Sequence, residues 1–216
     1  MTFLIFDMDG VLVDTSTGHA RAYQDLWERC GVAGPPYSRI AGRPTREVVE
    51  QFTRELSPTP ADIEEWVAFK QQRARLQFQA GTLAFDDVVP CLKAIDRAGI
   101  AMGVATGASR ETADVLLDRA GITGFFQFLL TAEDVRRGKP EPEVYQRAGQ
   151  RALEISGAKA GETVVIEDSD SGLRAAAAAG TKVACVRSGL RISSPGFLGS
   201  FHGLVDFACM LGVTVE

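Results

Sequence analysis

The chain has 216 residues, 45% of them hydrophobic, with 23 basic and 28 acidic side chains and a net charge of −5. That is the size of one domain, or of one domain carrying a small insert, and it can bury a full core without disulfide or metal staples. The acidic balance argues against a nucleic-acid partner held on a basic face, and no apolar run approaches the ~18 residues that cross a membrane.

The first element is an apolar β-type run over 3–6, closed at once by Asp7 and Asp9. A signal peptide needs a longer apolar stretch behind a basic start, so a cytoplasmic location is expected. From 15 to 82 no strong strand pattern appears. Helical patterns run instead over 16–30, 45–56 and 60–80, with joints at 31–36 and 57–60. This predicts a small helical domain over 15–82, inserted after the first strand of an α/β domain formed by 1–14 and 83–216. Beyond the insert, β-type runs at 100–105, 125–130, 163–166 and 181–186 alternate with amphipathic stretches at 87–98, 110–120, 141–156 and 171–179. Such alternation predicts a Rossmann-like, doubly wound parallel sheet with helices on both faces. One further short strand is expected near 204–206. The four cysteines are scattered and read as buried free thiols, and two histidines cannot build a His-rich metal site.

Ligands of an open parallel sheet bind beyond the carboxyl ends of its strands. The residues just past each apolar run are therefore informative. The first run delivers Asp7-Met8-Asp9-Gly10, the second Thr106-Gly107-Ala108-Ser109. After the third and a short loop comes Gly138-Lys139-Pro140, and after the fourth Glu167-Asp168-Ser169-Asp170-Ser171-Gly172. Neighbouring strands would bring Asp7, Asp9, Glu167 and Asp168 close together, and uncompensated they would repel. A divalent cation resolves this, and all-oxygen ligands suit Mg2+ rather than zinc. A hydroxyl from Thr106, the loop amides of Gly107 and Ala108 and the ammonium of Lys139 suit a dianionic phosphoryl group. Gly107 would let the backbone approach it closely. Asp170 and Ser171 read as N-caps of the adjoining helix. In chemical terms Asp7 can attack phosphorus, and Asp9, on the same side of an extended segment, can pass a proton to the leaving alcohol.

These four clusters, in this order and spacing, resemble the haloacid dehalogenase superfamily, over essentially the whole chain. Asp7-x-Asp9-Gly10-Val11-Leu12-Val13-Asp14 is similar to its first motif, and Thr106, Lys139 and Glu167-Asp168 to its second, third and fourth. The Glu-Asp pair with Ser169-x-Ser171-Gly172 behind it is most similar to the beta-phosphoglucomutase and phosphoglycolate phosphatase branch. The resemblance implies that Asp7 is the nucleophile and Asp9 the acid/base. It places Mg2+ on Asp7, the Asp9 carbonyl and Asp168, with Glu167 nearby or ligating. It also implies that the insert is an alpha-helical cap. True dehalogenases of the branch lack the second Asp, so its presence points to phosphoryl transfer.

In such enzymes the cap selects the leaving group. The selectors in the insert are His19, Arg43 and Arg46, with Lys70 and Arg73 as further ones. Arg46 matches by position the loop Arg that holds a distal phosphate, although Thr45 as a helix cap with solvated charge behind it fits the same residues. The Lys70–Arg75 cluster reads as a solvated helix face, and Trp27, Trp66 and Phe69 as core. The expected activity is a Mg2+-dependent phosphomonoesterase, acting on a small-molecule phosphate ester such as a sugar phosphate or phosphoglycolate through an aspartyl phosphate. A sugar phosphomutase shares the same core residues and is the alternative. A catalytically silent binding domain and a dehalogenase are weaker readings. A monomer or weak homodimer without nucleic-acid or membrane partners is expected.

Overall fold

The structure is a computed structural model that describes residues 2–78 and 84–215. In chain order its elements are β1 (Phe3–Phe6), α1 (Ser16–Cys30), α2 (Thr45–Phe52), α3 (Pro60–Gln77), α4 (Val88–Arg97), β2 (Ala101–Ala105), α5 (Arg110–Arg119), β3 (Leu129–Leu130), α6 (Glu143–Ser156), β4 (Thr163–Glu167), α7 (Asp170–Ala178), β5 (Lys182–Val186), β6 (Phe197–Phe201) and α8 (Leu204–Met210). The chain divides into two compact units, one of residues Met1–Asp14 and Thr82–Glu216, the other of Thr15–Gly81. The boundary expected at 82–83 falls among residues 79–83, outside the described residues, as does the end of the helix expected over 60–80.

The first unit is an α/β fold. Among the described residues its six strands form one parallel sheet in the order β3-β2-β1-β4-β5-β6. A central parallel strand is buried on both faces, which is why β1 reads as four consecutive apolar residues, all of them buried. β1 pairs with β2 on one side and β4 on the other, with Phe6 opposite both Val104 and Ile166. That register aligns the ends of three strands. The chain order reverses at β1, so the crevice for a ligand opens beyond Phe6. On one sheet face Phe3, Ile5, Val165 and Val183 pack with Val144, Ala148 and Ala152 of α6 and Leu173, Ala175 and Ala176 of α7. The Ala-rich run of α7 lets that helix lie close on the strands. Each fully buried Phe or Ile contributes roughly 1.5–3 kcal/mol through removal of apolar surface from water.

Several elements depart from the sequence expectation. No strand forms at 204–206; residue Leu204 starts α8, because Leu204, Phe207 and Ala208 share a helical face and are buried. The last strand is β6, which pairs with β5. Only Leu129–Leu130 of the run at 125–130 is strand, since Thr123–Phe125 closes a 3-10 turn first. The second helix stops at Phe52, and Arg54–Leu56 forms a separate 3-10 turn.

In the second unit Tyr23, Leu26 and Trp27 of α1, Val48 and Val49 of α2 and Ile63 of α3 form a small apolar core, with Trp66 and Phe69 packed against it. Thr59 begins α3 with a capping box, Asp62 N–H donating to its hydroxyl while Asp62 accepts from the Thr59 amide at 2.8 Å. Among the described residues no helix is long and apolar enough to cross a membrane.

Candidate active site

Asp7 comes directly after β1, and its amide donates to the Ile166 carbonyl of β4 at 2.9 Å. The sheet ladder thus runs one residue past β1 and fixes the backbone that carries this carboxylate. Asp7 is buried. Lys139 Nζ donates to Asp7 Oδ1 at 2.5 Å and to Glu167 Oε1 at 2.6 Å. Oxygens of Asp7, Glu167 and Asp168 lie within 4.8 Å of one another. Three carboxylates from two adjacent strand ends therefore cluster, and one ammonium is bonded to two of them.

Glu167 is the most heavily tied member. Its Oε1 accepts from Lys139 and from the Tyr145 hydroxyl at 2.6 Å, and its Oε2 from the amides of Asp168 and Ser169 and the Ser169 hydroxyl at 3.0–3.2 Å. Ser169 also accepts from the Gly172 amide at 3.1 Å and is the N-cap of α7. The N-cap expected at Asp170 or Ser171 is thus one residue earlier, because the Ser169 hydroxyl serves the helix and Glu167 together. Gly172 has to be glycine here, since a Cβ would stand 1.8 Å from Glu167 Oε1. Gly10, at φ +79°, has the same relation to Asp168, whose Oδ2 would meet its Cβ at 2.0 Å. The two carboxylates of the Glu167-Asp168 pair are each seated against a glycine.

Burial pushes the Asp7 carboxyl well above the usual carboxylate range; the Lys139 ammonium opposes this, and Glu167, Asp168 and Asp9 add to it. Burial also raises Asp168, to about 7, with Glu167 the next cause. Burial disfavours the Lys139 ammonium, but Asp7 and Glu167 outweigh it and hold the group well above its ordinary value. Glu167, although buried, is held below its ordinary value by Lys139 and its hydrogen bonds. At an effective dielectric near 20, two full charges at such separations repel by roughly 3–4 kcal/mol. One ammonium cannot offset three carboxylates. The donor set is all oxygen and its excess negative charge falls on Asp7 and Asp168. Both features fit a hard divalent cation. Glu167 spends both oxygens on hydrogen bonds and holds Lys139.

Thr106 comes after β2, buried, with its amide on the Leu130 carbonyl at 2.9 Å and its hydroxyl accepting from the Ala108 amide at 3.1 Å. A Cβ at Gly107 would meet nothing within 4 Å, so no neighbour requires glycine there. The Lys139 loop is anchored from both sides: the Arg136 and Arg137 amides donate to Glu143 Oε2 at 2.9 and 3.2 Å, and the Ala132 amide to the Ala108 carbonyl at 2.9 Å. Asp9 leads a tight turn, in which the Leu12 and Val13 amides donate to the Met8 carbonyl at 2.9 and 3.0 Å.

His19, Arg43 and Arg46 belong to the helical unit. His19 Nδ1 lies 2.9 Å from Lys70 Nζ, which stands over the Tyr23 ring at 4.5 Å. Lys70 is buried, so the solvated face expected there is corrected: its stem fills the interior between α1 and α3. Arg73 pairs with Asp25 at 2.5 Å. Arg43 donates to Gln51 at 2.8 Å, and Arg46 pairs with Glu64 and, at 3.6 Å, with Glu50. Pro44 rather than Thr45 precedes α2, so Thr45 is its first helical residue and not its cap.

Sequence reasoning missed Tyr145. The signal was present, a hydroxyl on the otherwise apolar face of a helix beginning four residues after Lys139.

The family model of the haloacid dehalogenase-like hydrolases matches residues 4–186. The validoxylamine A 7'-phosphate phosphatase of Streptomyces hygroscopicus subsp. limoneus is 30% identical over 181 residues, 82% of this chain and 81% of that protein. The fructose-1-phosphate phosphatase YqaB of Escherichia coli is 30% identical over 191 residues, 85% and 95% of the two chains. Among solved structures, a beta-phosphoglucomutase candidate from Thermotoga maritima superposes with a TM-score of 0.70 at 26% identity, covering 98% and 99% of the two chains.

Proposed function

The chain belongs to the haloacid dehalogenase-like hydrolase family and is a phosphoric monoester hydrolase, and from that premise we propose that it cleaves a small phosphorylated carbohydrate through a phosphoryl group carried on Asp7. The observation that carries this reading is the seat of Asp7, buried at the end of the central strand, 2.5 Å from Lys139 and within 4.8 Å of Glu167 and Asp168 oxygens. A carboxylate so placed cannot leave the crevice, and its outer oxygen is the nucleophile that an incoming phosphoryl group meets.

The steps balance as two displacements. An Asp7 oxygen attacks phosphorus, the bond to the leaving oxygen breaks, and Asp9 gives that oxygen a proton. A water then attacks the aspartyl phosphate, Asp9 takes its proton, phosphate leaves and Asp7 is restored. Lys139 is held as an ammonium by Asp7 and Glu167 before the first displacement, and by Glu167 and the phosphoryl charge while Asp7 is esterified. Its ammonium and the Thr106 hydroxyl serve the phosphoryl oxygens. Glu167 fixes the ammonium, and Tyr145 fixes Glu167. Mg2+ would be held by Asp7 and Asp168, with Asp9 as a further ligand; when bound it supplies positive charge that keeps Asp7 ionised and offsets the phosphoryl charge. His19, Arg43 and Arg46 are proposed to contact the leaving group.

The likeness to a beta-phosphoglucomutase candidate favours one second reading, in which a bound sugar phosphate rather than water receives the phosphoryl group. The deciding experiment is phosphate release across a panel of phosphorylated metabolites, with Mg2+ or EDTA, for the wild type and Asp7→Asn. Metal-dependent release that falls below about one-thousandth in the variant is expected. Release unchanged in Asp7→Asn overturns the role of Asp7. An isomeric product without free phosphate favours the mutase.

A further inference from the structure

Arg187 comes directly after β5, on the same rim of the sheet as Asp7 and Asp168, and its backbone is left-handed at φ 65°. A residue with a Cβ sits there only at an energetic cost, which its surroundings have to outweigh. Its guanidinium is engaged on three sides. Nη2 donates to Asp87 Oδ1 at 2.6 Å and to the Val11 carbonyl at 3.3 Å, and the planar group lies 3.8 Å from the Phe85 ring centroid. Its Nε is buried without a hydrogen-bond partner among the described residues. Asp87 stands at the N-cap of α4 yet makes no cap hydrogen bond there. Its second oxygen accepts from the Leu204 amide at 2.8 Å instead. An aspartate has thus given up its preferred local role, and an arginine its preferred backbone, to make one contact.

That contact reaches the turn carrying Asp9. Val11 lies two residues past Asp9, in the turn closed by the Gly10 amide on the Val13 carbonyl at 2.8 Å. Val13 in turn bridges to Ala84, beside Phe85. We infer that Arg187, seated by Asp87, is a positioning residue for Asp9: it holds the Val11 carbonyl and so fixes the turn from which Asp9 exchanges its proton. The inference rests on the proposed acid role of Asp9. Arg187 touches no reacting atom, so its effect is on the step that needs a well-placed proton.

The test exploits the leaving group. Fructose 1-phosphate releases a poor alkoxide that needs protonation, whereas p-nitrophenyl phosphate releases a stable phenolate. With both esters and Mg2+, Arg187→Met is expected to lower kcat/KM about tenfold on fructose 1-phosphate and less than twofold on p-nitrophenyl phosphate. Arg187→Lys is expected to fall between wild type and Arg187→Met. Asp87→Asn, which leaves the arginine in place, should repeat the pattern more weakly and serves if Arg187→Met does not fold. In an Asp9→Asn background Arg187→Met should add less than twofold on either ester. Equal losses on both esters, or none, overturn the positioning role while Asp9→Asn keeps its selective loss. If Asp9→Asn itself loses equally on both, the acid role of Asp9 fails and this inference falls with it.

Discussion

The candidate site of the α/β unit and the surface of the helical unit use charged side chains in opposite ways. In the α/β unit the ion pairs that matter are buried: the side chains of Lys139, Asp7 and Glu167 are 12%, 9% and 0% exposed. In the helical unit Arg29–Glu65 and Arg46–Glu64 join side chains that are about half exposed. A buried pair is costly to break, because removing one partner strands a charge in a poor solvent. An exposed pair is screened by water, and its loss is nearly silent. Burial, not residue type, separates the pairs whose loss costs stability from those whose loss is nearly silent.

Substitutions put that contrast to the test. Lys139→Met leaves Asp7 and Glu167 without their cation. It should cost about 3–5 kcal/mol in urea unfolding and reduce phosphate release below about one-thousandth. Tyr145→Phe keeps the ring and removes one bond to the Glu167 carboxylate; a loss of about 1.5–3 kcal/mol is expected by the same measurement. Asp168→Asn should act in the opposite direction. Its carboxyl titrates near 7 in the folded chain, above the ordinary value of 3.8, so folding binds a proton between these limits and unfolding releases it. Stability of the metal-free protein therefore falls as pH rises from about 4 to 7 through this group. Removing it should raise the stability at pH 8 by about 1–2 kcal/mol, and by less at pH 5, while Mg2+ no longer raises the melting temperature. The smallest effect is expected for Arg46→Ala, under about 1 kcal/mol by thermal unfolding. A loss above about 2 kcal/mol there would place that exposed pair with the buried ones and undo the contrast.

The clustering of the candidate site was legible because chain order and chemistry coincide. Asp7, Thr106, Lys139 and Glu167-Asp168 each come after an apolar run or its loop, and a parallel sheet sends all such positions to one rim. What the spacing could not show was partnership. Tyr145 carried no assignment in the sequence, and its hydroxyl is tied to Glu167 only in the fold; Lys70 looked solvated until α1 and α3 enclosed it. Arg187 follows directly on the β-type run over 181–186, but its hydrogen-bond partners lie 100 and 176 positions away in the chain. The tail was misread for a related reason. A short apolar run fits strand or helix, and only the burial of Leu204, Phe207 and Ala208 together decided for α8.

By itself the sequence determined the alternation of strands and helices, the helical character of the segment after the first strand and the acidic, hydroxyl and ammonium groups at the strand ends. Each of these comes from local periodicity and from the rule that parallel strands share one polarity. Only the tertiary structure decided that β1 lies between β2 and β4, that Glu167 is bound on both oxygens rather than exposed, and that Arg187 reaches the Asp9 turn. Those are contacts between segments far apart in the chain. Their energies depend on burial and distance, which no local pattern encodes.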